Sequence, residues 1–195
     1  MLFQSLLKKY GPQHWWPAKT EYEVIVGAVL TQNCAWKNVE KAIKNLKNAG
    51  VLSPKKVLML PMKKLKQLIK PAGFYNQKAK RLKLVTKKYL KLKPKIAYLS
   101  TEEIRKELLS INGVGNETAD SILLYAFNRP VFVVDAYTKI FCRYFNLCKC
   151  KTYEGYQHFF HSQLPKNTYL FNEYHALIVE WAKKNKQALK TFGRK

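Results

Sequence analysis

Apolar residues recur along this chain at helical spacing, and no stretch shows the strict alternation of a half-buried strand. Leu2, Phe3, Leu6 and Leu7 share one face of a helix over 2–10, which breaks at Gly11-Pro12. Thr20 and Glu23 form a capping box ahead of a helix that is apolar on most sides: Tyr22, Val24, Ile25, Val26, Ala28, Val29, Leu30. That pattern suits a central helix in a bundle. Trp36, Val39, Ile43 and Leu46 line the next helix. Ser53-Pro54 starts another, with serine at the cap and proline in the first turn, and Pro61 opens one through Leu65, Leu68 and Ile69. Gly73 ends it. A long helix then runs from about Asn76 to Leu90, with Ala79, Leu82, Val85 and Tyr89 inward and Lys78, Lys80, Arg81, Lys83, Lys87 and Lys88 mostly outward. Residues 91–99 form a basic link containing Pro94.

The pattern is richest over 100–145. Ser100 and Glu103 make a second capping box, opening a helix to about Leu109. Gly113-Val114-Gly115 is too glycine-rich for a helix interior. Asn116 stands where a helix-starting residue would stand, and Ala119, Ile122, Leu123, Ala126 and Phe127 follow at i, i+3, i+4, i+7, i+8. The segment therefore reads as helix, two-glycine hairpin, helix. Val131-Phe132-Val133-Val134 must be buried, and it ends at Asp135, where a helix from Ala136 to about Phe145 begins. Thr152 caps a helix bearing Tyr156, Phe159, Phe160 and Leu164. Over 169–184, Leu170, Tyr174, Leu177, Ile178 and Trp181 share a face, and the basic tail from Lys183 is expected to fray. The chain is thus expected to be all-α, with about ten helices.

Charge changes the picture most. The 195 residues carry 36 Lys+Arg against 12 Asp+Glu, a formal net charge of +24. Such a balance points to a polyanionic partner, most simply nucleic acid. A lysine-rich surface also serves solubility or a hot habitat, and both readings can hold. The length allows one domain or two small lobes. Cys34, Cys142, Cys148 and Cys150 lack the spacing of a metal or cluster site, so no metal is expected; free thiols in a reducing cytoplasm are. No apolar run reaches membrane-spanning length and the N-terminus lacks a signal-peptide layout, so a cytoplasmic chain without a membrane partner is expected.

Three places carry candidate chemistry. At Gly113 and Gly115 the missing Cβ lets backbone N–H groups approach a phosphate, helped by the helix N-terminus behind them. Asp135 is an N-cap, a catalytic carboxylate kept ionised by the following helix, or both. Trp15 and Trp16, adjacent in a short loop, either pin the N-terminal segment to the core or offer a stacking face for an extruded base. An indole face best attracts a flat cationic ring, such as an alkylated purine.

The string I-N-G-V-G-x-x-T-A-D-x-I-L, with V-V-D about 20 residues on, resembles the helix-hairpin-helix plus Gly/Pro-Asp signature of the endonuclease III superfamily of DNA glycosylases. L-T-Q-N around Gln32 resembles that family's L-S-x-Q segment, and G-F-Y-N-Q-K-A-K-R-L resembles another of its elements. The resemblance covers roughly residues 15–180. It implies a two-lobed helical fold, with a central lobe over 22–130 and a second lobe from 1–21 and 131–195. It implies a cleft lined by Trp15, Trp16 and Trp36 as base pocket, Asp135 as the catalytic carboxylate, and Gln32 as the plug left in the DNA stack. On the residues alone, Gln32 could equally be a loop glutamine bonded to its own backbone, and Trp36 could be core. Gly113, Gly115, Asn116, Thr118 and Lys78 are the further DNA-contact candidates.

Bifunctional relatives carry lysine two residues after the second hairpin glycine, where it forms a Schiff base with the sugar. Here that residue is Glu117, so the expectation is a monofunctional enzyme. The paired tryptophans followed by proline, L-T-Q-N, G-F-Y-N-Q-K-A-K-R-L and the hairpin with Glu117 together resemble the 3-methyladenine DNA glycosylases of the superfamily that lack the four-cysteine iron–sulfur loop of many relatives. A pocket lysine of that family is replaced by Leu177. The expected partner is double-stranded DNA with a damaged base, met by a monomer needing no cofactor. A monovalent cation at the hairpin carbonyls, as in some relatives, stays open. So do uracil, mismatched or oxidised bases as substrates, and a DNA-binding role without catalysis.

Overall fold

The computed structural model describes residues 2–193. Among them the secondary structure is helical, with no strand. The helices are α1 (Leu2–Tyr10), α2 (Glu21–Leu30), α3 (Trp36–Asn48), α4 (Pro54–Met59), α5 (Met62–Ile69), α6 (Tyr75–Leu92), α7 (Thr101–Leu109), α8 (Asn116–Ser121), α9 (Ala136–Tyr144), α10 (Tyr153–Gln163), α11 (Thr168–Lys184) and α12 (Lys186–Phe192). The chain divides into two compact units: Ala18–Phe127, and Met1–Pro17 together with Asn128–Lys195.

In the first unit α2 is the axis. Residues 22–30 are all buried, and α3, α6 and α8 pack around them. Thr20 caps α2 by accepting the Glu23 N–H. The reciprocal bond differs from the sequence expectation, because the Glu23 carboxylate accepts from the Lys19 N–H, 3.2 Å away. On α6, Ala79, Leu82, Val85 and Tyr89 face the core as the periodicity requires.

Lys78 corrects that periodicity. Expected outward and on DNA, it is only 1% exposed. Its Nζ donates to the carbonyls of Leu30 (2.8 Å) and Ala72 (2.7 Å). These lie at the last residue of α2 and the end of the 3₁₀ turn Lys70–Ala72, where helix carbonyls lack intrahelical donors. Burial holds the ammonium's pKa below its ordinary value. A buried cation that bonds two helix ends is a structural brace, and in this structure it is not a phosphate contact.

The helix-hairpin-helix forms as expected at its first half. Ser100 accepts from the Glu103 N–H and Glu103 from the Ser100 N–H, the reciprocal box that opens α7. The second half needs two corrections. Gly115 is the N-cap of α8 and Asn116 the first helical residue. The regular helix stops at Ser121 and passes into a π-helical turn, Ile122–Ala126, so Leu124 joins Ile122 and Leu123 in the core while Ala126 is half-buried. Arg105 on α7 clamps the start of α8. Its Nε lies 2.7 Å from Asp120 Oδ1, and its second terminal nitrogen reaches Asp120 Oδ2 and Asn116 Oδ1, each at 3.1 Å.

In the second unit α11 lies against α1 and α9, and α12 against α9 and α11. The tail expected to fray is thus helical from Lys186 to Phe192; Arg194 and Lys195 lie outside the described residues. Val131–Val134 is buried and extended without a strand partner. Its backbone groups are met by side chains of α10 instead. Phe132 N–H donates to His161 Nε2 (2.9 Å), Phe132 C=O accepts from Gln157 (2.8 Å), and Val134 N–H donates to the Tyr153 hydroxyl (3.3 Å). This satisfies groups whose unpaired burial would cost roughly 1–3 kcal/mol each. Phe132 stacks on Phe160 with ring centroids 3.9 Å apart.

The cysteines also need a correction. Cys148 and Cys150 are joined in a disulfide, their Cα atoms 5.3 Å apart and inside the bonding range. Cys34 and Cys142 remain thiols, and burial pushes the Cys142 thiol up to about 12. No described group of His, Cys, Asp and Glu could hold a metal ion. No described helix is long and apolar enough to cross a membrane.

Candidate active site

The extended run 131–134, fixed by α10, delivers Asp135 to the first turn of α9. Asp135 is the N-cap: Oδ1 accepts from the Thr138 N–H at 2.7 Å and from the Thr138 hydroxyl at 2.9 Å. Oδ2 faces His175 Nε2 of α11, 3.6 Å away. The Asp135 side chain is 16% exposed, so it is not sealed from solvent. Burial pushes the carboxyl's pKa up, but His175 and the two Thr138 donors outweigh it, and the net displacement is downward. The group is a rigid anion, and its N-cap role and its candidate catalytic role coexist.

His175 escaped the sequence reading. A single histidine on the apolar face of a helix is most simply read as core, and it is indeed buried. The only available signal was that it interrupts the apolar series Tyr174, Leu177, Ile178, Trp181 with an ionisable ring. Leu177 is fully buried.

The loop carrying Trp15 and Trp16 is tied to the same helix. Glu173 of α11, itself buried, accepts the Gln13 N–H. Gln13 in turn donates to the carbonyls of Tyr10 (3.1 Å) and Gly11 (3.0 Å). The two indoles lie with ring centroids 5.1 Å apart, tilted by 49°, across a cis peptide bond. Both are half-buried rather than enclosed. One helix therefore carries both the residue that holds the tryptophan loop and the residue that meets Asp135.

In the other unit, Gln32, Gly113 and Thr118 come together across more than eighty residues of sequence. The Gln32 amide donates to the Gly113 carbonyl (3.2 Å) and to the Thr118 hydroxyl (2.7 Å), and its oxygen accepts from Arg81. The sequence reading placed Arg81 on an outward basic face and missed its part in this cluster. Gly113 has φ +85°, which favours glycine, and a Cβ there would meet the Arg81 guanidinium. Gly115 has ordinary backbone angles, and a Cβ there would meet nothing within 4 Å. Its face is open for close approach from outside. The Asn116 side chain accepts from Arg105. Glu117, in the first turn of α8, is exposed. Trp36, at the start of α3, is half-buried.

Residues 26–166 match the family described as HhH-GPD superfamily base excision DNA repair protein. The chain belongs to this family. A Methanocaldococcus jannaschii protein, whose name assigns it provisionally as a DNA repair glycosylase, is 53% identical over 94% of this chain and 86% of its own length. Endonuclease III of Thermotoga maritima is 26% identical over 94% of this chain and 82% of its own length. Among solved structures, an H. pylori 3-methyladenine DNA glycosylase bound to 1,N6-ethenoadenine superposes with a TM-score of 0.81 at 32% identity. That match covers 94% of this chain and 96% of the other. The all-α, endonuclease III-like, helix-hairpin-helix fold expected from the sequence is the fold of this HhH-GPD glycosylase.

Proposed function

We propose that this HhH-GPD protein is a monofunctional DNA glycosylase that excises cationic alkylpurines, such as 3-methyladenine and 7-methylguanine, from double-stranded DNA. The observation that carries the reading is the Asp135 carboxylate: bonded at Oδ1, held ionised, and in a side chain that is still partly exposed. Positive charge grows on the deoxyribose as the base leaves, and a fixed anion lowers the energy of that state. The N-glycosidic bond breaks with its electron pair going to the base. A water oxygen then bonds to C1′ and gives its proton to the Asp135 carboxylate.

The substrate class is inferred from the aromatic loop of the unit that also carries Asp135. The half-buried indoles of Trp15 and Trp16, on the loop that Glu173 of α11 holds, suit a flat cationic ring. Such a base is already a good leaving group and needs little acid assistance. The H. pylori relative, named for 3-methyladenine, supports the same class. Glu117 supports hydrolysis without strand cleavage. Gly113 and Gly115 would contact phosphate through their backbone, with Asn116 and Thr118 at the same turn, and Gln32 would exchange its hairpin partners for the DNA stack. The basic charge supplies affinity for the duplex whatever its sequence.

The test is a panel of duplexes carrying 7-methylguanine, 1,N6-ethenoadenine, uracil, a G·T mismatch or an oxidised guanine, assayed for free base. Release is expected to be fastest from the alkylated purines, with no borohydride-trapped adduct. Faster release of uracil or an oxidised base would assign another specificity, and a trapped adduct would mean an amine acts on the sugar.

A further inference from the structure

We propose that His175 is a positioning residue for the Asp135 carboxylate, holding its Oδ2 edge in place while Thr138 holds Oδ1. The inference rests on the proposed role of Asp135 for its effect on rate, but its effect on the carboxyl itself does not.

The geometry supplies the argument. Thr138 uses its N–H and its hydroxyl on the same oxygen, so α9 alone fixes only one side of the carboxylate. A carboxylate fixed at one oxygen can still turn about its Cβ–Cγ bond. His175 Nε2, at 3.6 Å from Oδ2, faces the other side from a different helix. That separation is long for a hydrogen bond in the free protein, and such contacts tighten when substrate binds. The imidazole is itself constrained, since its ring meets Phe132 edge-on with centroids 6.4 Å apart. Phe132 belongs to the same buried run that ends at Asp135. The histidine and the carboxylate are thereby referenced to one rigid segment.

The neighbouring ionisable groups leave His175 as the one that acts on the carboxyl by charge. From α9 come the Thr138 donors, which are neutral, and from α11 comes His175. On α10, Tyr153 is bonded to the Val134 N–H and His161 to the Phe132 N–H. Glu173 on α11 is turned to Gln13. Burial alone would raise the Asp135 pKa, and His175 together with the two Thr138 donors lowers it. Without the histidine, the carboxyl protonates at higher pH, and the anion needed for base release is lost earlier on acidification.

Two substitutions separate this role from packing. His175→Phe keeps a ring against Phe132 but has no donor; His175→Gln keeps a donor with less bulk. The Asp135 carboxyl is followed by ¹³C NMR, identified by its loss in Asp135→Asn. His175→Phe is expected to raise its titration midpoint by about one unit, equivalent to a tenfold change in its protonation equilibrium, and His175→Gln by less. An unmoved midpoint in both variants would overturn the proposal. In single-turnover base release, the acidic limb for His175→Phe is expected to move up by the same amount, with His175→Gln in between. A uniform loss of rate with the limb unmoved would reduce His175 to a packing residue. If the wild type releases no base, the proposed function fails, and the carboxyl titration still decides the role of His175.

Discussion

Asp135→Asn is expected to lower single-turnover base release by roughly a thousandfold or more, combining the loss of a fixed charge with the loss of a proton acceptor. The fold should survive the change. Asparagine caps helices as well as aspartate, and its Oδ1 can accept from the same Thr138 N–H and hydroxyl. Its amide can face His175 with little change in volume. Affinity for abasic-site DNA should therefore stay close to wild type, and the thermal midpoint should fall only by the contribution of the ionised carboxyl, so that most of the loss lies in chemistry. The pH dependence has a definite sign. The folded carboxyl's pKa is depressed, so its contribution to stability is present above the unfolded value, about 3.9, and is lost as pH falls through the folded value. Activity should follow the same limb, steady at neutral pH and falling only below the ordinary aspartate range. Base release that survives Asp135→Asn would remove this residue from the mechanism.

Arg105→Ala is expected to be the most destabilising single change in the helix-hairpin-helix. Asp120 is fully buried, and its two oxygens take a bidentate pair from Arg105. Removing one partner of a buried pair costs about 3 kcal/mol or more, because the remaining charge loses its compensation. For a chain of this size that corresponds to a fall in Tm of roughly 6–12 °C. Asn116→Ala removes only one further acceptor from the same guanidinium and should cost about 1 kcal/mol. The check is thermal denaturation of both variants. A smaller loss for Arg105→Ala than for Asn116→Ala would mean that the clamp between α7 and α8 is not the strong contact its geometry suggests.

These two residues mark the boundary between what the sequence discloses and what it withholds. The helix-capping role of Asp135 was legible because its signals are local: a buried apolar run, a cap position and a following helix within ten residues. The hairpin was legible for the same reason, with a capping box before it and two glycines inside it. Lys78 was not, because an amphipathic stripe assigns every lysine on the polar side to solvent. The pattern cannot register that α2 and the 3₁₀ turn at Ala72 end nearby with carbonyls needing a donor. Arg81 was placed outward for the same reason, yet from α6 it donates to Gln32 just past the end of α2. The π-helical turn at Ile122–Ala126 lies beyond a periodicity argument, which assumes a single pitch throughout. His175 depends on a partner forty residues away, and nothing within its own helix points to Asp135. The Cys148–Cys150 pairing turns on the local Cα separation, which spacing alone does not fix.

The central claim is that this chain removes a cationic purine by hydrolysis and leaves the strand intact. It is tested most directly on a duplex bearing a single 7-methylguanine, incubated with excess wild-type protein. Free base and strand breaks are counted in the same sample, before and after alkali. The account predicts 7-methylguanine released in step with alkali-labile sites, and no break before alkali. Intact 7-methylguanine at the end of the incubation, or breaks that form without alkali, would contradict it.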